Sequence, residues 1–201
     1  MIHDLDRTLH ELLKRELPRS LAQQVAISFD PPDDQFPPQT VTLPAIDLFL
    51  YDVRENHDLR SNEWSTRRET NGTAQRRMPP VRIDCSYLIT AWARESAPNR
   101  AEDEHRLLGE VMTALLRCPK LPAQLLQGSL ETQELPLPTA VLQPGHLQSL
   151  GEFWQALGGK PKAALNYTVT VAVQPTPPFE IPLVVAADAE LKPTQTDGGQ
   201  P

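Results

Sequence analysis

The chain has 201 residues, of which 39% are hydrophobic and 5% aromatic, a balance typical of one globular domain with room for a small lobe or tail. Its formal net charge of -7 disfavours a general nucleic-acid binder, because such proteins need clustered Lys and Arg to displace counterions from phosphates. The 21 prolines must lie mostly in loops, sheet edges and a tail, since proline lacks a backbone donor.

The cysteines and the N-terminal residues indicate the cellular compartment in which the protein is made. Cys85 and Cys118 have no metal-ligand spacing and are interpreted as small buried residues in a reducing environment. Residues 1–17 carry charges throughout, so they resemble neither a signal peptide nor a membrane span. We therefore expect a protein that is made in the cytoplasm and does not insert into a membrane.

The first predicted elements are a helix and two strands. Apolar residues at three- and four-residue steps predict a helix that Pro18 ends; they are Ile2, Leu5, Leu9, Leu12 and Leu13. A strand is predicted over 24–29, and a central strand covered on both faces over 45–53. Asp47 and Asp52 are five residues apart on that strand, so regular alternation predicts that they point to opposite faces and cannot pair as acid and base.

Residues 54–82 change character, with seven arginines against four acids. Asn71-Gly72 lies in the middle and is a strong hairpin signal, so this stretch is predicted to be a protruding β-hairpin arm with its tip near Gly72. Its candidate contact residues are Trp64, Arg67, Arg68, Arg76 and Arg77. They suit a protein interface, where Arg and Trp are common anchors, while a nucleic-acid contact and an ordinary solvated loop stay open as alternatives.

The following residues predict a returning strand over 81–93 and a second long helix over 101–118, which Pro119 ends. The buried stripe of that helix is predicted to be Leu107, Leu108, Val111, Met112, Leu115 and Leu116. A short helical turn is predicted within 121–128 and a strand over 128–135. A third helix is predicted over 144–157, with the inward residues Leu147, Leu150, Phe153, Trp154 and Leu157.

Gly158 and Gly159 come directly after the third helix, ahead of Lys160. A phosphate-binding loop needs the order strand, glycines, helix, so that amide donors at a helix start meet the anion. The order here is helix, glycines, strand, because residues 163–173 alternate between apolar and polar side chains. The glycines are therefore predicted to end a helix.

Residues 176–201 form an extended proline-rich tail whose last ten or so residues are predicted to be disordered. Residues 179–187, FEIPLVVAA, are too apolar for a linker, so they should lie back on their own domain or add to a partner as a strand. Phe179, Ile181, Leu183 and Val184 are the candidate contact residues in this stretch.

No residue pattern indicates catalysis or a cofactor. The stretch HELLK over 10–14 begins like a zinc-protease helix, but Lys14 stands where a second ligand is needed. The five histidines, His3, His10, His57, His105 and His146, are scattered. We therefore predict no catalytic, metal-binding or cofactor-binding residue and no enzyme, with a ligand-binding or enzymatic α/β domain as the alternative.

Several segments together resemble one family. They are LDRTLHELLKRELP, ISFDPPDDQFP, LFLYDVREN, PPVRIDCSYLITAWA, EHRLLGEVMTALLR and LGEFWQALGGKPKAALNYTVTVAV. In this order and spacing they resemble the N-terminal domain of the cap, or tail-terminator, protein of extracellular contractile injection systems of the antifeeding-prophage type. The resemblance covers roughly residues 1–175, which would form the cap domain.

The resemblance implies an α+β fold, a mixed β-sheet flanked by about three helices as in phage tail terminators. It also implies a structural role: a ring, expected to be sixfold, that sits on the ends of the inner tube and the sheath and stops both from growing. Its implied partners are copies of itself and the tube and sheath proteins, with no nucleic acid. The chain would be assembled into a phage-tail-like particle.

Overall fold

The structure is a computed structural model that describes residues 1–70, 73–143 and 149–182. The helices are α1 (Ile2–Glu16), α2 (Arg19–Ala22), α3 (Arg100–Leu116) and α4 (Leu150–Ala156), with 3-10 turns at Ala123–Leu125 and Gly128–Leu130. The strands are β1 (Ala26–Ser28), β2 (Ala45–Glu55), β3 (Ser65–Arg68), β4 (Thr73–Arg77), β5 (Val81–Trp92), β6 (Thr139–Val141), β7 (Ala164–Val173) and β8 (Phe179–Pro182).

The chain divides into two compact units. The first comprises residues 1–60 and 80–173, and the second comprises 61–79 and 174–201. In the first unit five strands form a sheet in the order β1-β2-β5-β7-β6, in which only the β1–β2 pair is parallel. In the second, β3, β4 and β8 form an antiparallel sheet.

The hydrophobic core lies between one face of the five-stranded sheet and the helices α1 and α3. Leu9 and Leu12 of α1 and Val111 and Leu115 of α3 belong to one buried cluster with Tyr87 of β5. Each fully buried leucine contributes about 1.5–3 kcal/mol relative to an exposed one. The 3.6-residue periodicity therefore predicted both helices correctly, because the same leucines form the core.

The two ends of this pattern differ from the prediction. Ile2 is 38% exposed and Leu116 is 53% exposed, although both were predicted to be inward. Ile2 is the first residue of α1, and Leu116 lies about 140° around α3 from the buried Val111, so it projects away from the buried stripe, in which Ala114 is the buried residue.

The orientation of Asp52 also differs from the prediction, which placed Asp47 and Asp52 on opposite faces of the strand. Tyr51 forms a bulge opposite β5, and this extra residue reverses the alternation. Asp47 is paired with Thr90 and Asp52 with Ser86, so both aspartates lie on the same face of the sheet.

The structure differs from the prediction at two further places, both between α3 and β7. Residues 128–135 were predicted to form a strand, but Gly128–Leu130 form a 3-10 turn, which the buried Asp4 carboxylate holds by accepting from Ser129 N and Oγ at 3.2 and 2.7 Å. The short edge strand is instead β6. The third helix begins at Leu150, with Ser149 as its N-cap; residues 144–148, including Leu147 and His146, lie outside the described residues.

The glycine pair after α4 ends the helix, as predicted. Gly158 has φ 67°, the left-handed conformation that a Cβ disfavours, while a Cβ on Gly159 would lie 2.9 Å from Pro32 O. Lys160 is exposed.

The described residues confirm the predicted mixed α+β fold. They contain four helices, where about three were expected, because the short helix α2 follows Pro18.

Candidate protein interface on the arm sheet

The second unit carries most of the candidate contact residues, on the three-stranded sheet of β3, β4 and β8, which we call the arm sheet. Strand β4 is its centre and pairs antiparallel with both neighbours. Strand β8 therefore completes a sheet with the arm of its own chain, which is one of the two outcomes expected, and it is established here for residues 179–182 of the apolar stretch. The tip residues Asn71 and Gly72, and the candidate residues Leu183 and Val184, lie outside the described residues.

The register decides which side chains share a face. Arg76 is opposite Thr66 on β3 and Phe179 on β8, and Ala74 is opposite Arg68 and Ile181. Directly opposed residues project from the same side of a sheet. One face, which we call the aromatic face, therefore carries Arg68, Arg76, Phe179 and Ile181.

Trp64 and Phe179 form the centre of the aromatic face. Their rings make an edge-to-face contact, with centroids 5.8 Å apart and planes at 74°. The guanidinium of Arg76 lies 4.8 Å from the centroid of the Trp64 ring, within the range of a cation–π contact. Trp64 remains 42% exposed and Phe179 46% exposed. Two large aromatic side chains held in place yet exposed are typical of interface anchors.

Arg67 and Arg77 project from the opposite face of the arm sheet. Arg67 is opposite Gln75, and Arg77 is opposite Ser65. Arg77 Nε donates to Gln174 Oε1 at 3.2 Å, so this arginine contributes to the internal structure of the second unit. The four arginines predicted to act together are thus divided into two pairs, and one pair accompanies the aromatic residues.

The described residues of the second unit contain four arginines and three glutamates, Glu63, Glu69 and Glu180. On the aromatic face the charged residues given by the register are arginines. Such a face fits a partner surface that offers carboxylates around an apolar contact, because Arg pairs with carboxylates in a planar, two-bond geometry. The sequence suggested the residue types, but only the pairing of β8 with β4 brings Phe179 beside Trp64.

Buried ionisable groups of the first unit were not predicted from the sequence. Asp47 is fully buried, and burial raises its pKa to about 8. Tyr87 donates to Asp6 Oδ1 at 2.8 Å, and burial raises the pKa of this tyrosine. Lys162 lies 2.7 Å from a Glu104 oxygen and 3.9 Å from the centroid of the Trp92 ring, and burial lowers the pKa of its ammonium. Burial also raises the pKa of Cys85 to about 11.

Among residues 1–70, 73–143 and 149–182, no three His, Cys, Asp or Glu side chains lie together where they would hold a metal ion. None of the helices there has both the length and the apolar character needed to span a bilayer.

Comparison with known proteins gives a consistent set of matches. The profile of the family described as the Pvc16 N-terminal domain matches residues 4–186. A cryo-EM structure of the sheath/tube terminator of the PVC extracellular contractile injection system, in the extended state, is 30% identical, with a TM-score of 0.71 over 96% of this chain and 64% of that chain. A cryo-EM structure of the anti-feeding prophage tube-terminating cap is 27% identical, with a TM-score of 0.65 over 94% of this chain and 61% of that one. The comparison with curated proteins gives no match. The chain thus spans less than two thirds of the length of either terminator.

Proposed function

The chain belongs to the Pvc16 N-terminal domain family, and from this premise we propose that it is a structural cap subunit that terminates the inner tube and sheath of a contractile injection system. The observation that carries the proposal is the match of nearly the whole chain to two terminators solved by cryo-EM. The proposed role is one of binding and assembly, without catalysis. Residues 1–175 supply the cap domain and 176–201 the tail in this proposal.

We propose that the cap is a ring of identical subunits, six in number, made in the cytoplasm and assembled into the particle. A ring of this kind needs two different patches on each subunit, because a self-complementary patch closes after two copies. The aromatic face of the arm sheet is one candidate patch. Its partner contacts would be made by Trp64, Arg76 and Phe179, with Arg68 and Ile181 beside them.

The direct test is deletion of the gene in a strain that produces the particles, followed by negative-stain electron microscopy. We expect particles of abnormal length or particles whose ends fray, since no subunit then closes the tube and the sheath. Expression of the wild-type chain from a plasmid should restore uniform, closed particles. Normal length and intact ends in the deletion strain would refute the proposed role.

A further inference from the structure

One edge of the five-stranded sheet is closed by the chain itself. Outside β6, Leu121 N donates to Leu137 O at 2.9 Å and Thr139 N donates to Pro119 O at 3.0 Å. Beyond the end of β6, the side-chain amide of Gln133 donates to Ala172 O at 2.6 Å and accepts from Ala172 N at 3.0 Å. These bonds occupy backbone groups that an additional strand would use.

The opposite edge is formed by β1, which pairs on its outer side with no other strand of the described residues; we call it the open edge. Ala26 N donates to Pro44 O at 3.0 Å, and the parallel register places Ala26 beside Ala45 and Ser28 beside Asp47. The backbone groups of Ala26 and Ser28 therefore face β2, and those of Ile27, between them, face away from the sheet. Within the described ranges no partner is recorded for the Ile27 N–H or carbonyl.

A groove of about 460 Å³ lies along this open edge. Its apolar floor comes from Ile27 and Phe29, both half-buried, and its polar wall comes from α1. The lining residues that matter here are Asp6, Arg7, His10, Glu11, Ile27 and Phe29. A strand added beside β1 would place the side chains of one of its faces next to Ile27 and Phe29, at this groove.

We propose that the open edge of β1 accepts residues 183–187, LVVAA, from a second copy of this chain as an added strand. These five residues are all apolar and directly follow β8 in the sequence, and residues 183–201 lie outside the described residues. An apolar strand would satisfy the Ile27 backbone and cover Ile27 and Phe29 at once. At about 3.3 Å per residue, five residues are long enough to pair along the whole of β1.

A donor strand and an acceptor edge are different surfaces, so each subunit can accept one neighbour and donate to another. This is the head-to-tail arrangement that closes into a ring. The inference rests on the proposed cap function and locates one contact of its ring.

The test uses the full chain with two variants and two matched controls. Ile27→Pro removes the outward N–H, while Ile27→Ala removes the same side chain and keeps the N–H. In the donor, Val184→Asp with Val185→Asp places a charge on either face of the strand, while Thr194→Asp with Thr196→Asp adds the same charge farther along. Circular dichroism melting checks the fold of each variant.

We expect wild type and both controls to assemble in light scattering, and both test variants to stay monomeric. A mixture of the two test variants should form one-to-one dimers, since one retains the donor and the other the acceptor. A monomeric wild type, assembly of Ile27→Pro equal to that of Ile27→Ala, or a mixture without dimers would each overturn the proposal.

Hydrogen exchange provides a readout that does not depend on the folding of the proline variant. The Ile27 amide should exchange at least tenfold more slowly in the assembled wild type than in the donor variant, and equal rates would overturn the proposal. Particle length is measured separately with the deletion strain. If strand addition fails while the deletion still produces abnormal particles, the cap function stands and only the location of the contact is wrong.

Discussion

At the scale of single residues, Asp47 is fully buried in the five-stranded sheet, and neither of its carboxylate oxygens has a recorded hydrogen-bond partner among the described residues. Ser28, its neighbour on β1, donates instead to Asp30 Oδ2 at 2.7 Å. Burial favours the neutral form, so the pKa of Asp47 rises from 3.8 to about 8. Near neutral pH the sheet therefore contains a protonated carboxyl group.

This carboxyl group predicts how stability depends on pH. Between pH 4 and 8 the folded chain holds a proton that the unfolded chain has released, so the free energy of unfolding falls as the pH rises, by up to about 1.4 kcal/mol per pH unit. Asp47→Asn should flatten this slope in urea titrations, and Asp58→Asn, at an exposed position, should leave it unchanged. The same slope in wild type and Asp47→Asn would contradict the prediction.

Lys162 and Glu104 form a mostly buried ion pair, with side-chain exposures of 13% and 18% and an N–O distance of 2.7 Å. Glu104→Gln should lower the free energy of unfolding by about 1–3 kcal/mol, because it leaves the ammonium buried beside Trp92 without its counter-charge. Thermal unfolding is the measurement, with Glu95→Gln as the exposed control. Equal melting temperatures for the two variants would show that the pair contributes little.

At the scale of elements, the end of α4 depends on a glycine conformation. Gly158→Ala should destabilise the fold by about 1–2 kcal/mol, because φ 67° crowds a Cβ against the following carbonyl. Gly109 in α3 has nothing within 4 Å of an added Cβ, so Gly109→Ala should stabilise by about 0.5–1 kcal/mol. Chemical denaturation of both variants measures the change in the free energy of unfolding, which should have opposite signs for the two. Equal changes would contradict the left-handed conformation of Gly158.

The two faces of the arm sheet allow a matched test of the interface. Arg68→Glu with Arg76→Glu changes the aromatic face, and Arg67→Glu with Arg77→Glu makes the same charge change on the other face. We expect the first pair to weaken assembly or docking to tube and sheath at least about tenfold more than the second, since it also removes the Trp64 contact. Light scattering and particle pull-down give the measurements. Equal losses would mean that net charge, and not this face, determines binding.

The elements also show what the sequence made predictable. Helices α1 and α3 and strand β7 followed from periodicity, because their core contacts repeat along the chain itself. The bulge at Tyr51 and the pairing of Phe179 with Arg76 depend on partners far away in sequence, which periodicity does not identify. Residue types indicated the candidate interface, but the register was needed to place Arg68, Arg76 and Phe179 on the same face.

At the scale of the whole molecule, the proposed ring requires that two different surfaces of one subunit meet. The two edges of the five-stranded sheet differ, because Gln133 occupies backbone groups next to β6 while the outer backbone groups of β1 are open. A further strand can therefore add at the β1 edge only. A subunit that accepts a strand at one surface and donates a strand from another assembles head to tail. The expected product is a closed species of fixed size, because every acceptor is filled once the ring is complete.

Native mass spectrometry of the purified chain tests this expectation. The spectrum should be dominated by one closed species, proposed to hold six copies of the 22.5 kDa chain, with few intermediates. Dilution should convert this species to monomers without a ladder of partial rings, because an incomplete ring lacks the contact that closure adds. Ile27→Ala, which keeps the backbone donor, should retain the closed species. A dimer that does not grow would point to one self-complementary patch, and an open-ended ladder would point to a filament-forming contact, so either result would contradict the closed ring.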